Sequence, residues 1–282
     1  MADYVFTKGT ALKKDMFTKI VQLFTSAGWT NVSSNPTTDF TVLHSKGESD
    51  DKDLFIQLRA FNTAETTTSI ETTDTNAMSY RFIEGYEAGA DGASGTFTRP
   101  TEVWTPLYIA PSTTSVNREV ELEYYYSINK NRLIIVIETP VSVNLAPILL
   151  YLGLPDTTYT TESGSRGVIF GASAYPKTNN TINISNASDG LPSDPASSNR
   201  TPYVTLAPKN PNSAGLFTLS EILYGNTTEG IRGKLTGIYQ MPNGNVNNGD
   251  TIVIGSKEYR VVATHIISGS SFSSNTFVIQ MV

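Results

Sequence analysis

The chain has 282 residues, with 20 Lys and Arg against 26 Asp and Glu, a net charge of −6 and no cysteine. The lack of cysteine excludes disulfides, thiol catalysis and cysteine-bound zinc, and no cluster of Lys and Arg is dense enough to replace the counterions of nucleic acid. Only 16% of the residues are charged, whereas an average soluble protein has roughly 25%. Thr, Ser, Asn and Gly take their place, which favours many short strands joined by polar loops.

The first predicted element is an amphipathic helix over residues 12–27. Its apolar side chains recur every three or four residues, which places them on one helical face. These side chains are Leu12, Met16, Ile20, Leu23, Phe24 and Ala27. Thr10 suits the N-cap, Gly28 suits the position after the C-terminus, and we expect Trp29 to fold back onto the core. The lysines of this segment are expected on its solvent side: Lys13, Lys14 and Lys19.

A β-hairpin with a long acidic tip follows the helix. Apolar and polar residues alternate over residues 40–44, and a second run covers Leu54–Arg59, with a polar turn at 45–53 between them. A further strand is predicted at residues 79–84. The other parts of this stretch are predicted as an exposed loop or edge at 62–76, rich in threonine, and a flexible Gly- and Ala-rich loop at 88–95.

A second hairpin gives the strongest strand signal. Apolar or aromatic runs at residues 121–128 and 132–138 flank a turn at 129–131, where asparagine tolerates the positive φ that such turns need. The unbroken Leu, Ile and Val run at 133–137 predicts a central strand that is buried on both faces. Two further elements are predicted, a short helix over residues 144–152 and a strand at Val168–Ala172.

The fold class predicted from these patterns is α+β. Residues 1–175 form an N-terminal helix packed on an antiparallel sheet, residues 176–202 form a Pro-, Asn- and Ser-rich linker, and residues 203–282 form an all-β unit. The predicted strands of that unit are 216–224, 235–239, 251–254, 258–267 and 276–281. The last strand carries no charged side chain, so we expect either its own domain or a neighbouring subunit to cover it.

The known catalytic motifs are absent. The chain lacks the dinucleotide-binding glycine motif, the P-loop and the nucleophile elbow, and its only histidines are His44 and His265. Both histidines fall within predicted strands, which favours a structural role over that of a catalytic base. An acidic cluster at Glu48, Asp50, Asp51 and Asp53 could hold Ca²⁺, although a solvated hairpin tip is the favoured interpretation.

Two further groups of residues on one predicted strand each allow a structural and a functional interpretation. Glu119, Glu121 and Glu123 alternate and so share one face, where they form either an exposed acidic surface or part of a hydrolase that acts on cell-wall polymer. The tyrosines at 124–126 form either a half-buried or interface strand or, with Trp104, a sugar-stacking surface. We therefore predict no catalytic residue, no cofactor and no metal, and no signal peptide or membrane span.

Six strings together point to a family. They are AGWT at 27–30, VLHSKGES at 42–49, DKDLFIQLR at 51–59, LYLGLP at 150–155, GIRGKL at 230–235 and GDTIVI at 249–254. The chain resembles virion structural proteins of the neck and tail of contractile-tailed bacteriophages, and the tail terminator is the closest type. The likeness spans most of the chain, which is longer than a minimal terminator.

The resemblance implies an N-terminal helix packed on a β-sheet and a hexameric ring that joins the tail tube and sheath to the neck. The implied partners are other copies of the chain, six in the ring, and neighbouring tube, sheath or neck proteins. DNA would pass through the channel without sequence-specific binding, and the protein would be made in the host cytoplasm. The alternative is a receptor- or glycan-binding protein of a phage tail or baseplate.

Overall fold

In the part of the chain that the structure describes, most of the regular structure is antiparallel β-sheet, with one short α-helix near the N-terminus, so the α+β class is compatible but strongly β-rich. The computed structural model describes residues 4–60, 76–83, 85–98, 105–108, 119–138, 147–154, 157–158, 168–172, 183–186, 219–226, 230–241, 246–263 and 276–281. Helix α1 spans Met16–Ser26, and short 3-10 turns lie at Lys13–Asp15 and Ala90–Gly92. The strands are β1 (Thr7–Leu12), β2 (Thr30–Asn31), β3 (Thr41–Ser45), β4 (Leu54–Arg59), β5 (Asn76–Ile83), β6 (Gly85–Glu87), β7 (Thr96–Thr98), β8 (Thr105–Tyr108), β9 (Glu121–Ile128), β10 (Arg132–Ile137), β11 (Ile148–Gly153), β12 (Thr157–Thr158), β13 (Val168–Ala172), β14 (Asn183–Asn186), β15 (Ser220–Asn226), β16 (Gly230–Met241), β17 (Thr251–Ile254), β18 (Lys257–Ala263) and β19 (Thr276–Gln280).

Within the described residues, these strands form three sheets and one small hairpin. The first sheet has the order β1-β9-β10-β11-β13-β14, and the third sheet has the order β2-β3-β4-β5-β8. The second sheet has the order β12-β16-β19-β18-β17, and β15 also pairs with β16. β6 and β7 pair with each other, and all of these pairings are antiparallel.

The first sheet is the middle layer, and both of its faces are buried. Odd-numbered residues of β10, from Leu133 to Ile137, join one apolar cluster with α1 and the third sheet. Even-numbered Ile134 and Val136 point to the other face and join a cluster with the second sheet. All six residues of β10 are buried, so the predicted central strand is confirmed.

Helix α1 confirms its predicted apolar face but begins at Met16 rather than Leu12. Its buried side chains are Met16, Ile20, Leu23 and Phe24. The predicted cap Thr10 lies instead in β1, where it pairs with Glu123, because β1 pairs with β9 along its whole length. Gly28 has a φ of +93° and follows the helix end as predicted.

Two residues at the ends of this helix show how it is fixed to the first sheet. Trp29 is buried, its ring lies 4.9 Å from that of Phe24, and its Nε1–H donates to the Asn129 carbonyl over 3.0 Å. The predicted fold-back of Trp29 is confirmed. Lys13 is only 1% exposed, so the prediction that it lies on the solvent side was wrong. It occupies the turn between β1 and α1, where its backbone N–H donates to the Val120 carbonyl over 2.9 Å.

The predicted helix at 144–152 is also wrong, because Ile148–Gly153 forms β11 between β10 and β13. All six residues of β11 are buried. A short apolar run fits a buried helix and a strand buried on both faces equally well, so periodicity does not separate them. The two predicted hairpins are confirmed by β3 with β4 and by β9 with β10, and the strand at Val168–Ala172 is confirmed by β13. The positive φ expected in the turn at 129–131 was wrong, because none of its three residues has one.

The remaining predictions on the early part of the chain have mixed outcomes. The strand predicted at 79–84 is confirmed by β5. The predicted loop at 88–95 joins β6 to β7 and contains the 3-10 turn Ala90–Gly92. The predicted exposed segment at 62–76 lies outside the described residues except for Asn76, which begins β5.

The all-β character predicted for the C-terminal part holds for its described residues, which form β15 to β19. In the predicted linker, residues 183–186 form β14 on the edge of the first sheet, and the rest lies outside the described residues. The second sheet shares an apolar cluster with the first sheet. The division of the chain at 176–202 stays a prediction.

The last strand lies inside its own sheet. β19 pairs with β16 on one side and β18 on the other, and all five of its residues are buried. The N-terminal segment reaches the same place, since the Phe6 N–H donates to the Gln280 carbonyl over 3.0 Å. Of the two coverings considered for this strand, its own domain is the correct one.

We expect Gly9→Ala to lower the free energy of unfolding by about 1–3 kcal/mol. A Cβ at Gly9 would lie 2.5 Å from the ring of buried Tyr124, so either this ring or β1 must shift. Gly85→Ala is the control, because its Cβ would meet Thr98 at an ordinary 3.6 Å. Urea unfolding of both variants tests this, and equal stability would contradict the close packing of β1 on β9.

Candidate functional site

The acidic hairpin tip between β3 and β4 docks on the turn between β9 and β10. The Lys130 N–H donates to Glu48 Oε1 over 3.0 Å, and Lys130 Nζ binds Asp50 Oδ1 over 3.0 Å. In return, the Glu48 N–H donates to Asn131 Oδ1 over 3.0 Å, and the Ser45 hydroxyl donates to the Lys130 carbonyl over 2.6 Å. The charged tip therefore connects the third sheet to the first sheet.

The three aspartates of this tip each bind a lysine, and Glu48 accepts from the Lys130 backbone N–H, so the four carboxylates share no common centre. Asp53 binds Lys46 Nζ over 2.6 Å, Asp51 binds Lys52 Nζ over 3.1 Å, and Asp50 binds Lys130. Within the described residues, no group of three or more potential metal ligands comes together. The geometry supports the ion-paired tip over the Ca²⁺ alternative.

His44 packs as a flat aromatic side chain on the surface of β3. Its ring stacks on Phe55 with centroids 4.5 Å apart, and its Nε2 lies 3.0 Å from Asp53 Oδ1. These contacts support the structural role favoured from the sequence. His265 lies outside the described residues.

The glutamates and tyrosines around β9 are largely taken up by contacts within the chain. Glu123 binds Lys8 Nζ over 2.5 Å, and Glu119 binds Lys14 Nζ over 2.7 Å. Tyr124 and Tyr125 are both buried, on opposite faces of the first sheet. The predicted half-buried strand describes this run better than a sugar-stacking surface does. Trp104 lies outside the described residues.

A polar seam, formed by Lys8, Glu123, Tyr125, Glu138 and Arg260, joins the first and second sheets. Arg260 Nη2 binds Glu138 Oε1 over 2.7 Å, and its guanidinium lies 4.4 Å from the centre of the Tyr125 ring. The other Glu138 oxygen accepts from Asn248 Nδ2 over 2.8 Å. The Tyr125 hydroxyl donates to Glu123. Arg260 comes from β18 and the two glutamates come from the region of β9 and β10, so the seam ties the layers together.

The electrostatics of the polar seam keep Glu123 ionised. Burial raises the pKa of Glu123, but hydrogen bonds from Lys8 and Tyr125 outweigh it, so the pKa lies below the ordinary value. Burial, together with the hydrogen bond to Glu123, raises the pKa of Tyr125 to about 12. A glycosidase general acid needs the opposite, a carboxyl group with a raised pKa. This geometry is better suited to structural ion pairing than to proton transfer.

Asp39 forms a second buried anionic centre, which the sequence patterns did not indicate. It is 0% exposed and lies in the loop before β3. Its carboxylate accepts from the Ser34 hydroxyl over 2.7 Å, the Tyr86 hydroxyl over 2.6 Å, and the backbone N–H groups of Asn35 and Gly95 over 3.0 Å each. Asp39 thereby fixes the β6–β7 hairpin to the start of β3.

The large hydrophobic residues left exposed in the described part of the chain are Val5, Val253 and Ile254. They lie at the same end of the second sheet. Val5 precedes Phe6, which bonds to Gln280 of β19. Gln280 pairs with Tyr259 of β18, and Tyr259 pairs with Ile252 of β17, which precedes Val253 and Ile254. We call this surface the apolar end. β17 pairs there with β18 on one side and, among the strands that the structure describes, is the last of the sheet on the other.

Only some of the residues in these sites could be predicted from the sequence. Glu123 and the tip carboxylates belong to patterns that can be recognised. Arg260 and Asp39 are single charged residues far in sequence from their partners, so no spacing rule identifies them. The sequence around Val253 and Ile254 predicts a strand. Only the order of the strands in the sheet shows that it is an edge strand.

No family model matches the chain, and no curated protein matches its sequence. In the described residues, no helix has both the length and the apolar character needed to cross a membrane.

We expect Asp39→Asn to lower the free energy of unfolding by about 2 kcal/mol at pH 7. Burial raises the pKa of Asp39, but its four hydrogen-bond donors together lower that pKa to about 2. Because the folded pKa is below the unfolded one, this contribution is present above about pH 4 and is lost as the pH falls through about 2. Urea unfolding between these pH values measures it.

The control for this prediction is Asp91→Asn, since Asp91 is exposed and has a positive φ that asparagine tolerates. It should leave the unfolding free energy unchanged. A gap between the wild type and Asp39→Asn that stays constant from neutral to strongly acidic pH would contradict the assigned role of the carboxylate.

We expect Glu138 and Arg260 to be energetically coupled by about 1–3 kcal/mol in a double-mutant cycle of Glu138→Gln and Arg260→Met. Both side chains are mostly buried, so removing one leaves the other charge with poor solvation. The more exposed pair Lys46 and Asp53 provides the comparison and should couple by at most about 1 kcal/mol. Equal coupling in the two cycles would show that the seam does not hold the sheets together.

Proposed function

We propose that this chain is a structural subunit of a contractile-tailed phage virion, a ring protein of the neck or tail-terminator type. In this role the ring joins the tail tube and sheath to the neck, and its partners are copies of itself and the adjacent virion proteins. The single observation that carries the proposal is the apolar end of the second sheet, where the uncharged edge strand β17 is exposed with Val253 and Ile254. An exposed apolar strand edge is a surface suited to pairing with another chain.

The charged groups also support an assembly role. The carboxylates of the hairpin tip and of the polar seam bind lysines and arginines of the same chain, so these carboxylates have a structural role. The chain as a whole has a net charge of −6. A ring of such subunits gives its channel little attraction for the phosphate backbone, so DNA passes without being held.

Three of the six strings that resemble phage virion proteins lie in one local unit of the fold. Residues 27–30, 42–49 and 51–59 cover the end of α1, the strands β3 and β4, and the tip between them. This unit packs with α1 on the first sheet, in agreement with the helix on a sheet that the resemblance implies. Residues 249–254 lead into β17, at the apolar end.

The two alternatives have less support from the geometry. A glycan-binding surface built on the tyrosines of β9 would need exposed rings, and Tyr124 and Tyr125 are buried. A hydrolase acting through a glutamate pair would need one carboxyl group free to donate a proton. Glu123 has a lowered pKa, and both carboxylate oxygens of Glu138 are bound.

We expect the purified protein to form a closed oligomer, alone or on adding tail-tube extract, because the apolar end is unfavourable in water until another chain covers it. Native mass spectrometry measures the stoichiometry, and six copies is the expected number. Mass-spectrometric identification in purified tails, with purified heads as the control, tests its location. A protein that stays monomeric in both conditions and is absent from tails would refute the proposed function.

A further inference from the structure

The edge strand β17 has the features of a self-pairing surface. Edge strands that must stay unpaired carry Lys, Pro or an inward-pointing charge, and the four residues Thr251–Ile254 have none of these. Val253 is 63% exposed and Ile254 is 41% exposed. The turn that follows is open as well, since a Cβ at Gly255 would meet nothing within 4 Å.

The register of β17 on β18 shows which backbone groups face outward. Ile254 pairs with Lys257 across the two-residue turn, and the Val261 N–H donates to the Asp250 carbonyl over 2.8 Å. In an antiparallel pair, alternate residues bond to the neighbouring strand. Even-numbered residues from 250 to 254 therefore bond to β18, and Thr251 and Val253 direct their N–H and C=O groups away from the sheet.

We propose that β17 pairs antiparallel with β17 of a second copy of this chain, across a two-fold axis at Ile252. Thr251 and Val253 of one copy then exchange backbone hydrogen bonds with Val253 and Thr251 of the other. Ile252 lies opposite Ile252 of the second copy, so apolar side chains meet on one face of a continuous sheet. The contact uses the same surface on both copies, as a two-fold interface requires.

The charged residues at the two ends of β17 favour a second copy of the chain as the partner, and they favour antiparallel over parallel pairing. Asp250 precedes β17, and Lys257 pairs with Ile254 at the opposite end of it. Antiparallel pairing places Asp250 opposite Ile254 of the second copy and one strand away from its Lys257, and symmetry repeats this attraction at the other end. Parallel pairing would instead bring Asp250 beside Asp250 of the second copy, which is repulsive.

This inference rests on the proposed assembly role and specifies one of its contacts. A two-fold contact joins subunits in pairs and does not close a ring by itself. Closure of a ring with different faces toward tail and neck therefore needs a second, head-to-tail kind of contact.

The register is tested with cysteines, since the chain contains none. Residues opposite each other in a pair without backbone hydrogen bonds have Cα atoms about 4.5 Å apart, within the range of a disulfide. Mild oxidation of Ile252→Cys should give a disulfide-linked dimer on a non-reducing gel. Val253→Cys is the control, because its thiol faces Thr251 of the second copy and should crosslink at least about tenfold less. Equal crosslinking of the two variants, or none at Ile252→Cys, overturns the proposed pairing.

The strength of the β17 pairing is tested with Val253→Lys. This variant adds a charge of the kind that keeps other edge strands unpaired. The dissociation constant of the dimer, measured by light scattering after gel filtration, should rise at least about tenfold. Val253→Thr keeps the strand preference without the charge and should still dimerise. Thermal unfolding of each variant verifies that it is folded, and Val253→Lys that is folded and still dimeric overturns the proposal.

The same variants separate this inference from the proposed function. If Val253→Lys remains monomeric alone but enters a ring with tail-tube extract as the wild type does, the virion role stands and the β17 pairing is refuted as a ring contact. If the wild type dimerises through Ile252 but is absent from purified tails, the pairing stands and the virion role is refuted.

Discussion

Burial of the first sheet on both faces is the constraint on which the other layers depend. A strand buried on both sides must satisfy its backbone polar groups through neighbouring strands, since no water reaches them. β10 does so between β9 and β11, and its side chains alternate between two apolar clusters. One cluster needs α1 and the third sheet as a cover, and the other needs the second sheet. The loss of either cover would expose a face made almost entirely of Leu, Ile, Val and Tyr.

Polar contacts then fix how the covers sit on this middle layer. On one side, the acidic tip between β3 and β4 binds the turn between β9 and β10 through Lys130. On the other side, Arg260 binds Glu138 and lies over Tyr125. Apolar burial has no preferred direction, whereas these charged and hydrogen-bonded contacts have a defined geometry. They fix each outer layer at one position relative to the first sheet.

The parts of the fold that could be predicted from the sequence are those with local causes. The apolar face of α1, the turn at 129–131 and the alternation along β3 depend on neighbouring residues alone. The errors at Thr10 and at 148–152 have one origin, which is that pairing with a distant strand decided the backbone conformation. Asp39 and Arg260 were missed for the same reason, because their partners lie on other elements. The open edge at β17 becomes visible only when the order of the strands is known.

The bond between the Phe6 N–H and the Gln280 carbonyl joins residues that are almost the whole chain apart. Residue 280 leaves the ribosome long after residue 6, so the segment before β1 lacks this partner while the residues between them are being made. Closing so long a loop carries a large entropic cost, and contacts of this kind slow folding. This contact therefore forms late in folding, after the local pairings of the middle layer. Until then, the N-terminal segment and the second sheet are accessible to other chains being translated on the same message.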